Sequence, residues 1–208
     1  MKKILALILV IGCILAFASC QFITPPTTDG NVDNEGNKQT VANIQQIVDD
    51  SAPKSADISV VFDTAIGKLN GSYDVTYNDD GSATVEYSYE MFNTFDENAQ
   101  QDGPKSVKSG VVTVNADGTV DGDVEGAASV EGVSFDIDLD EKLLKSAKVS
   151  ASVLTATVEA DNTYDVLGVD IYSDVSLTIS TGNGRVTSIV ISYEAEIGPV
   201  VITTVYHY

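Results

Sequence analysis

The sequence is poor in the side chains that most often perform catalysis or bind transition metals. It contains no tryptophan, one histidine and two cysteines among 208 residues. Histidine is the most common general base near neutral pH, and the single histidine, His207, is the penultimate residue. The sequence also has neither a glycine-rich phosphate loop nor a nucleophile elbow. We therefore expect a protein that is not an enzyme and that carries no cofactor.

Basic residues are scarce as well. The chain has 11 lysines and arginines and 31 acidic residues, which gives a formal net charge of −20. A surface of this sign repels phosphate backbones and anionic headgroups, which disfavours lipid binding through a basic patch, and we expect no nucleic acid partner. We interpret the acidity as a source of solubility beside an anionic envelope rather than as recognition of a cationic partner.

The N-terminal segment has the order of a secretory signal. Lys2 and Lys3 precede an apolar run over residues 4–15, and small residues follow. The segment Phe17-Ala18-Ser19-Cys20 resembles the lipobox of bacterial lipoproteins, although Phe17 stands where leucine is usual. The resemblance implies that residues 1–19 are removed and that the Cys20 thiol carries a lipid anchor. Two alternatives stay open, which are ordinary cleavage after Ala16-Phe17-Ala18 and an uncleaved apolar anchor.

The cysteine count agrees with lipidation. Cys13 lies inside the segment that would be removed, so the mature chain would keep Cys20 alone and form no disulfide. For the same reason, a metal centre built from histidine and cysteine is excluded, and we predict no metal site. The expected location is outside the cell, with the lipid in the outer side of the cell membrane, or in the outer membrane of a cell that has one.

Residues 20–39 differ in composition from the rest of the chain. Proline, threonine, aspartate, glycine and asparagine dominate this segment, and large apolar side chains are almost missing after Ile23. Such a composition offers too little apolar surface to offset the entropy of ordering. We expect a flexible tether that joins the lipid to residues 40–208, which we expect to form a single antiparallel β domain and a monomer.

A short amphipathic helix is predicted at the start of this domain. Thr40 is a suitable N-cap, and Val41, Ile44, Ile47 and Val48 recur on one helical face before Asp50. A helix this short depends on packing against another element. The rest of the domain should supply a sheet for it to pack on.

Residues after Ala56 alternate between apolar and polar side chains with the period of a half-buried strand. Asparagine, aspartate and glycine separate the alternating runs, as expected for hairpin turns. The pattern predicts a mainly β fold, either a curved antiparallel sheet or an incomplete barrel, with one short N-terminal helix packed on it. Only residues 140–147 are expected to add one or two further helical turns.

The order of one helix and a long β meander, ending in strands such as residues 184–189, resembles the incomplete-barrel lipoprotein carriers of the LolA and LppX type. The resemblance implies an apolar cavity for acyl chains between helix and sheet. Val41, Ile44 and Val48 would then form one wall of the ligand site. A structural or surface-interaction lipoprotein without a small ligand is the alternative, and fold likeness alone does not decide between them.

One acidic segment matches part of a calcium-binding motif. Residues 121–126, Asp-Gly-Asp-Val-Glu-Gly, fit the opening of an EF-hand loop. Gly132 stands at position twelve, where the motif needs glutamate, and the flanks have the pattern of strands rather than helices. Asp136, Asp138 and Asp140 form a second acidic row. We interpret both segments as solvated acidic surfaces. Weak calcium binding is the alternative, and it would stabilise the fold without implying a reaction.

Overall fold

The computed structural model describes residues 39–63, 67–93, 106–122, 137–196 and 198–208. The predicted signal segment and the tether up to residue 38 lie outside the described residues. So do residues 123–126 of the EF-hand-like segment, Gly132 and Asp136.

The described residues form ten strands, two short α-helices and one 3-10 turn. The helices are α1 (Val41–Asp50) and α2 (Thr163–Leu167), and the 3-10 turn, Ala160–Asn162, leads directly into α2. The strands in chain order are β1 (Ser55–Asp63), β2 (Gly67–Tyr77), β3 (Ala83–Asn93), β4 (Ser106–Val114), β5 (Val120–Asp121), β6 (Leu144–Ser150), β7 (Val153–Val158), β8 (Val175–Gly182), β9 (Arg185–Ala195) and β10 (Gly198–His207).

All ten strands belong to one antiparallel sheet with the order β5-β4-β3-β2-β1-β10-β9-β8-β7-β6. The first and last strands pair at its centre, where Ser55 lies opposite His207. Each side of this central pair is a meander of consecutive strands. The sheet is curved and unclosed, so the predicted mainly β fold is confirmed.

The alternation in the sequence matches the two faces of the sheet. In β8, Val175, Leu177 and Ile179 are fully buried, whereas Ser176 between them is exposed. We call the face with the buried residues the inner face and the opposite one the outer face. Burying apolar area contributes about 25 cal/mol per Å², which drives this segregation. The buried apolar residues of the described ranges form one cluster that includes side chains of both helices.

Two hairpin turns share one design. In the turn between β2 and β3, Asp80 accepts hydrogen bonds from the backbone and hydroxyl of Ser82, at 2.9 and 2.6 Å. In the turn between β4 and β5, Asp117 accepts the equivalent bonds from Thr119, at 3.0 and 2.6 Å. A glycine with φ of 85° follows each aspartate. Because these bonds join residues only two positions apart, aspartate and glycine in the sequence are enough to predict such turns.

The prediction of helical structure over residues 140–147 was wrong. A turn over residues 141–143 leads into β6, which pairs with β7 at the edge of the sheet. Strand pairing with β7 outweighed the local helix propensity of lysine, leucine and alanine. Conversely, α2 was not predicted, because asparagine and aspartate at residues 161–162 indicated only a turn.

Candidate functional site: the covered inner face

The predicted site lies where α1 packs on the inner face. Thr40 caps α1 as predicted, because its Oγ1 accepts a bond of 3.2 Å from the Asn43 backbone. The Asn43 side chain in turn accepts a bond of 3.0 Å from the Thr40 backbone N–H. This reciprocal arrangement is a capping box and fixes the start of the helix.

The three residues predicted to line a ligand wall all face the sheet. Ile44 is fully buried, Val41 is 6% exposed, and Val48 is half-buried and packed against the core. α1 contacts β9 and β6. Large apolar side chains of the inner face, such as Leu177 and Ile191, are also fully buried. The predicted wall residues therefore belong to the hydrophobic core in the part of the sheet that α1 covers.

Gln45 attaches α1 to a second covering segment. Its side-chain amide donates to the carbonyl oxygen of Ile137 at 3.2 Å and accepts from the backbone N–H of Leu139 at 2.7 Å. Ile137 and Leu139 are buried, although they belong to no strand. Asp138 then donates its backbone N–H to the Val166 carbonyl oxygen in α2 at 2.9 Å. Backbone polar groups outside the sheet thereby find partners, as burial requires.

The end of α1 is attached to the sheet through one hydroxyl. Ser51 Oγ donates to the Ile47 carbonyl oxygen at 2.6 Å and accepts from the Val186 backbone N–H at 3.0 Å. The Val186 carbonyl oxygen accepts a bond of 2.7 Å from the Tyr208 hydroxyl, and the Arg185 guanidinium lies 4.8 Å from the centre of the Tyr208 ring. These contacts fix the C-terminal end of α1 on the sheet.

The inner face of β2, β3 and β4 has a different character. Tyr73 and Tyr87 lie opposite each other on β2 and β3, and both are buried. A Cβ atom at Gly71 would lie 2.8 Å from the Tyr73 ring, and one at Gly110 would lie 2.6 Å from the Tyr87 hydroxyl oxygen. The rings therefore occupy space that only glycine leaves free. Tyr89 stacks beside Tyr87 with ring centroids 6.1 Å apart.

Burial affects the ionisation of these phenols. The pKa of Tyr73 is raised from 10.0 to about 12. Desolvation is the larger cause, and the charge interaction with Tyr89 is the smaller one. Desolvation also raises the pKa of Tyr193 at the far end of β9. Both phenols are therefore neutral at physiological pH, and neither is poised to transfer a proton there.

The candidate catalytic and metal-binding residues do not come together in the described part of the chain. His207 Nε2 lies 2.9 Å from the Asp57 carboxylate, but both side chains are at least half exposed to solvent. Asp121 accepts a bond of 2.9 Å from the Asn115 side chain in the adjacent turn. Among the described residues, no group of three or more histidine, cysteine, aspartate or glutamate side chains is arranged to hold a metal ion.

Comparison with known proteins found no protein-family model and no curated protein that matches this sequence.

Proposed function

We propose that the chain is an exported bacterial lipoprotein, attached to a membrane by lipid on Cys20 and separated from it by the tether of residues 20–39. The lysine pair, the apolar run and the lipobox-like segment support this proposal. Within the described ranges, no helix is both long and apolar enough to cross a membrane.

For the folded part of the chain, we propose a non-enzymatic role as a surface-interaction module without a small ligand beneath α1. The observation that carries this proposal is the burial of Ile44, which is fully enclosed among other core side chains. A carrier needs an apolar cavity of about 300 Å³ or more for its ligand. Because Ile44 and its neighbours are closely packed, we infer that the predicted wall residues stabilise the fold rather than line a ligand cavity.

Binding of an apolar ligand is the second candidate function, and one observation favours it at another place. On the inner face of β2 and β4, Gly71 and Gly110 let tyrosine rings lie flat against the sheet. Flat aromatic surfaces suit acyl chains and ring systems. A ligand at this place would contact Tyr89, which is only partly buried beside the buried Tyr73 and Tyr87, and would leave α1 in place.

A fluorescent acyl probe tests the two candidates. The chain from residue 21 onward, which lacks the lipid, is titrated with the probe and compared with its Ile44→Ala and Tyr89→Ala variants. We expect no saturable fluorescence change in the parent chain. Saturable micromolar binding would contradict the proposed module. The variant that weakens such binding would then locate the ligand, under α1 or on the tyrosines.

Truncation of the Ile44 side chain tests independently whether the space beneath α1 is packed. If its side chain is packed as the structure has it, Ile44→Ala lowers the free energy of unfolding by about 2–5 kcal/mol. Asn43→Ala, a neighbouring position on the exposed side of α1, is not a neutral control because Asn43 belongs to the capping box. Gln46→Ala is the matched control, since Gln46 is exposed and lies within α1.

A further inference from the structure

Two tyrosines stand out because they project into solvent. The Tyr172 side chain is 97% exposed and Tyr164 is 55% exposed. Both belong to the connection between β7 and β8, which contains α2. An aromatic ring in water contributes little to folding, whereas tyrosine is among the residues that dominate binding energy at protein interfaces.

The exposure of these rings is imposed by well-anchored neighbours. Thr163 is 1% exposed, and its hydroxyl oxygen accepts a bond of 2.9 Å from the Ile171 backbone N–H. The same hydroxyl lies 3.0 Å from the Ala160 carbonyl oxygen, to which it donates. Tyr164 and Tyr172 each directly follow one of these two bonded residues. Their backbone positions therefore lie beside a hydrogen bond that joins the two ends of this connection.

Apolar anchors and a helix cap add to this rigidity. Val166 and Leu167 are fully buried, and Ile171 is 8% exposed. Gly168 ends α2 with φ of 73°, and its backbone N–H bonds to the Tyr164 carbonyl oxygen at 2.9 Å. A surface held in one conformation loses little entropy when a partner binds. The backbone that carries the two rings therefore needs no reordering when a partner binds.

The charges around the rings have one dominant sign. Residues 137–145 and 159–174 contain eight carboxylates and two lysines, a net charge of −6 from 2 minus 8. These segments are joined by the bond from Asn162 to the Leu143 carbonyl oxygen and by the ion pair between Lys145 and Asp174, at 3.0 and 2.8 Å. Asp165 and Asp170, which lie in the same connection as the rings, are exposed.

We propose that Tyr164, Tyr172, Asp165 and Asp170 form a docking surface for a basic segment of a protein partner. A lysine or arginine side chain of the partner lies over the Tyr172 ring, and the carboxylates attract the neighbouring positive charges. This inference rests on the proposed role as a surface-interaction module and deepens it by naming the partner's chemistry. For this one surface it replaces the interpretation of the acidity as a source of solubility alone. An anionic glycan or phosphate would be repelled, and a neutral sugar would gain nothing from the carboxylates.

A synthetic peptide of alternating arginine and glycine is the probe. Its binding to the full lipidated protein in neutral detergent is measured by isothermal titration at low and physiological salt. We expect Tyr172→Ala to raise the Kd about threefold to tenfold, while Tyr172→Phe keeps the ring and the affinity. Because Tyr172 is so exposed, neither variant should change the melting temperature.

General attraction to an acidic protein needs a matched control. Asp170→Asn and Asp79→Asn remove the same charge, but Asp79 lies in the turn after β2, at the opposite ends of the strands. We expect only Asp170→Asn to weaken peptide binding clearly. Equal effects of both variants, or an unchanged Kd for Tyr172→Ala, would overturn the docking surface.

Two further outcomes distinguish a failure of the docking surface from a failure of the proposed ligand-free role. Binding of a neutral oligosaccharide that depends on Tyr172 but not on Asp170 would also overturn the proposal, because stacking alone would explain it. Saturable binding of the acyl probe, with peptide binding still dependent on Tyr172, would refute the ligand-free role and leave the docking surface standing.

Discussion

Gln45 and Leu139 are joined by a hydrogen bond of 2.7 Å, from the Leu139 backbone N–H to the Gln45 side-chain oxygen, across 94 positions of the sequence. The same amide donates to the Ile137 carbonyl oxygen. One side chain of α1 thus satisfies two backbone groups of a segment that lies outside the sheet. This segment in turn bonds to α2, so the covering elements of the inner face depend on one another.

Gln45→Leu is expected to lower the free energy of unfolding by about 1–3 kcal/mol, because two partly buried backbone groups lose their partner. Urea denaturation measures the change. Gln45→Glu keeps the acceptor for Leu139 and loses the donor for Ile137. It should therefore change the free energy of unfolding by a different amount from Gln45→Leu. Full stability of Gln45→Leu would show that the segment does not depend on this residue.

Gly110→Ala is expected to destabilise the protein by about 1–3 kcal/mol through overpacking against the Tyr87 ring. The double variant with Tyr87→Leu tests this cause, since the smaller side chain removes the clash. A double-mutant cycle from thermal or urea unfolding gives the coupling between the two positions. Additive effects would mean that the close approach of ring and glycine has no energetic consequence.

Alkaline pH should unfold the protein partly through Tyr73. Its pKa in the folded state is raised from 10.0 to about 12, so the folded state holds its proton more tightly than the unfolded state. The stabilisation is complete below pH 10 and is lost as the pH rises toward 12. Tyr73→Phe, which cannot ionise, should reduce this loss, as measured by stability curves together with tyrosinate absorbance. An identical pH dependence of the variant would rule out this contribution.

Cys20→Ser should abolish incorporation of labelled palmitate in a bacterial host and release the protein from the membrane fraction, because the acidic chain has no other expected membrane affinity. Cys13→Ser, which changes a cysteine within the predicted signal segment, is the control and should leave labelling intact. Retention of the Cys20→Ser protein in washed membranes would identify the apolar N-terminal segment as the anchor.

Local patterns in the sequence predicted much of the architecture because each signal had a local cause. Thr40 caps α1 through its neighbour Asn43, and the aspartates of the hairpin turns bond to residues two positions away. The alternation of strands such as β8 reflects one-sided burial. These features need no knowledge of distant parts of the chain.

Features that depend on distant contacts were not predictable in the same way. The role of Gln45 depends on residues more than 90 positions away. Residues 144–150 form an edge strand only because β7 lies beside them. The exposure of Tyr172 results from the anchoring of Thr163, Val166 and Ile171 around it. The signal in the sequence that marks this region is its acidity, with five carboxylates among residues 159–174.

The pairing of β1 with β10 has a consequence for the order of folding. Lys54 donates its backbone N–H to the His207 carbonyl oxygen at 2.8 Å, and Ser55 lies opposite His207. The two meanders can each assemble from neighbouring segments. The central pair of the sheet forms only when β10 pairs with the distant β1. Such distant pairing slows folding. The pairing of β1 with β10 is therefore expected to be the slow step that joins the two meanders into one sheet.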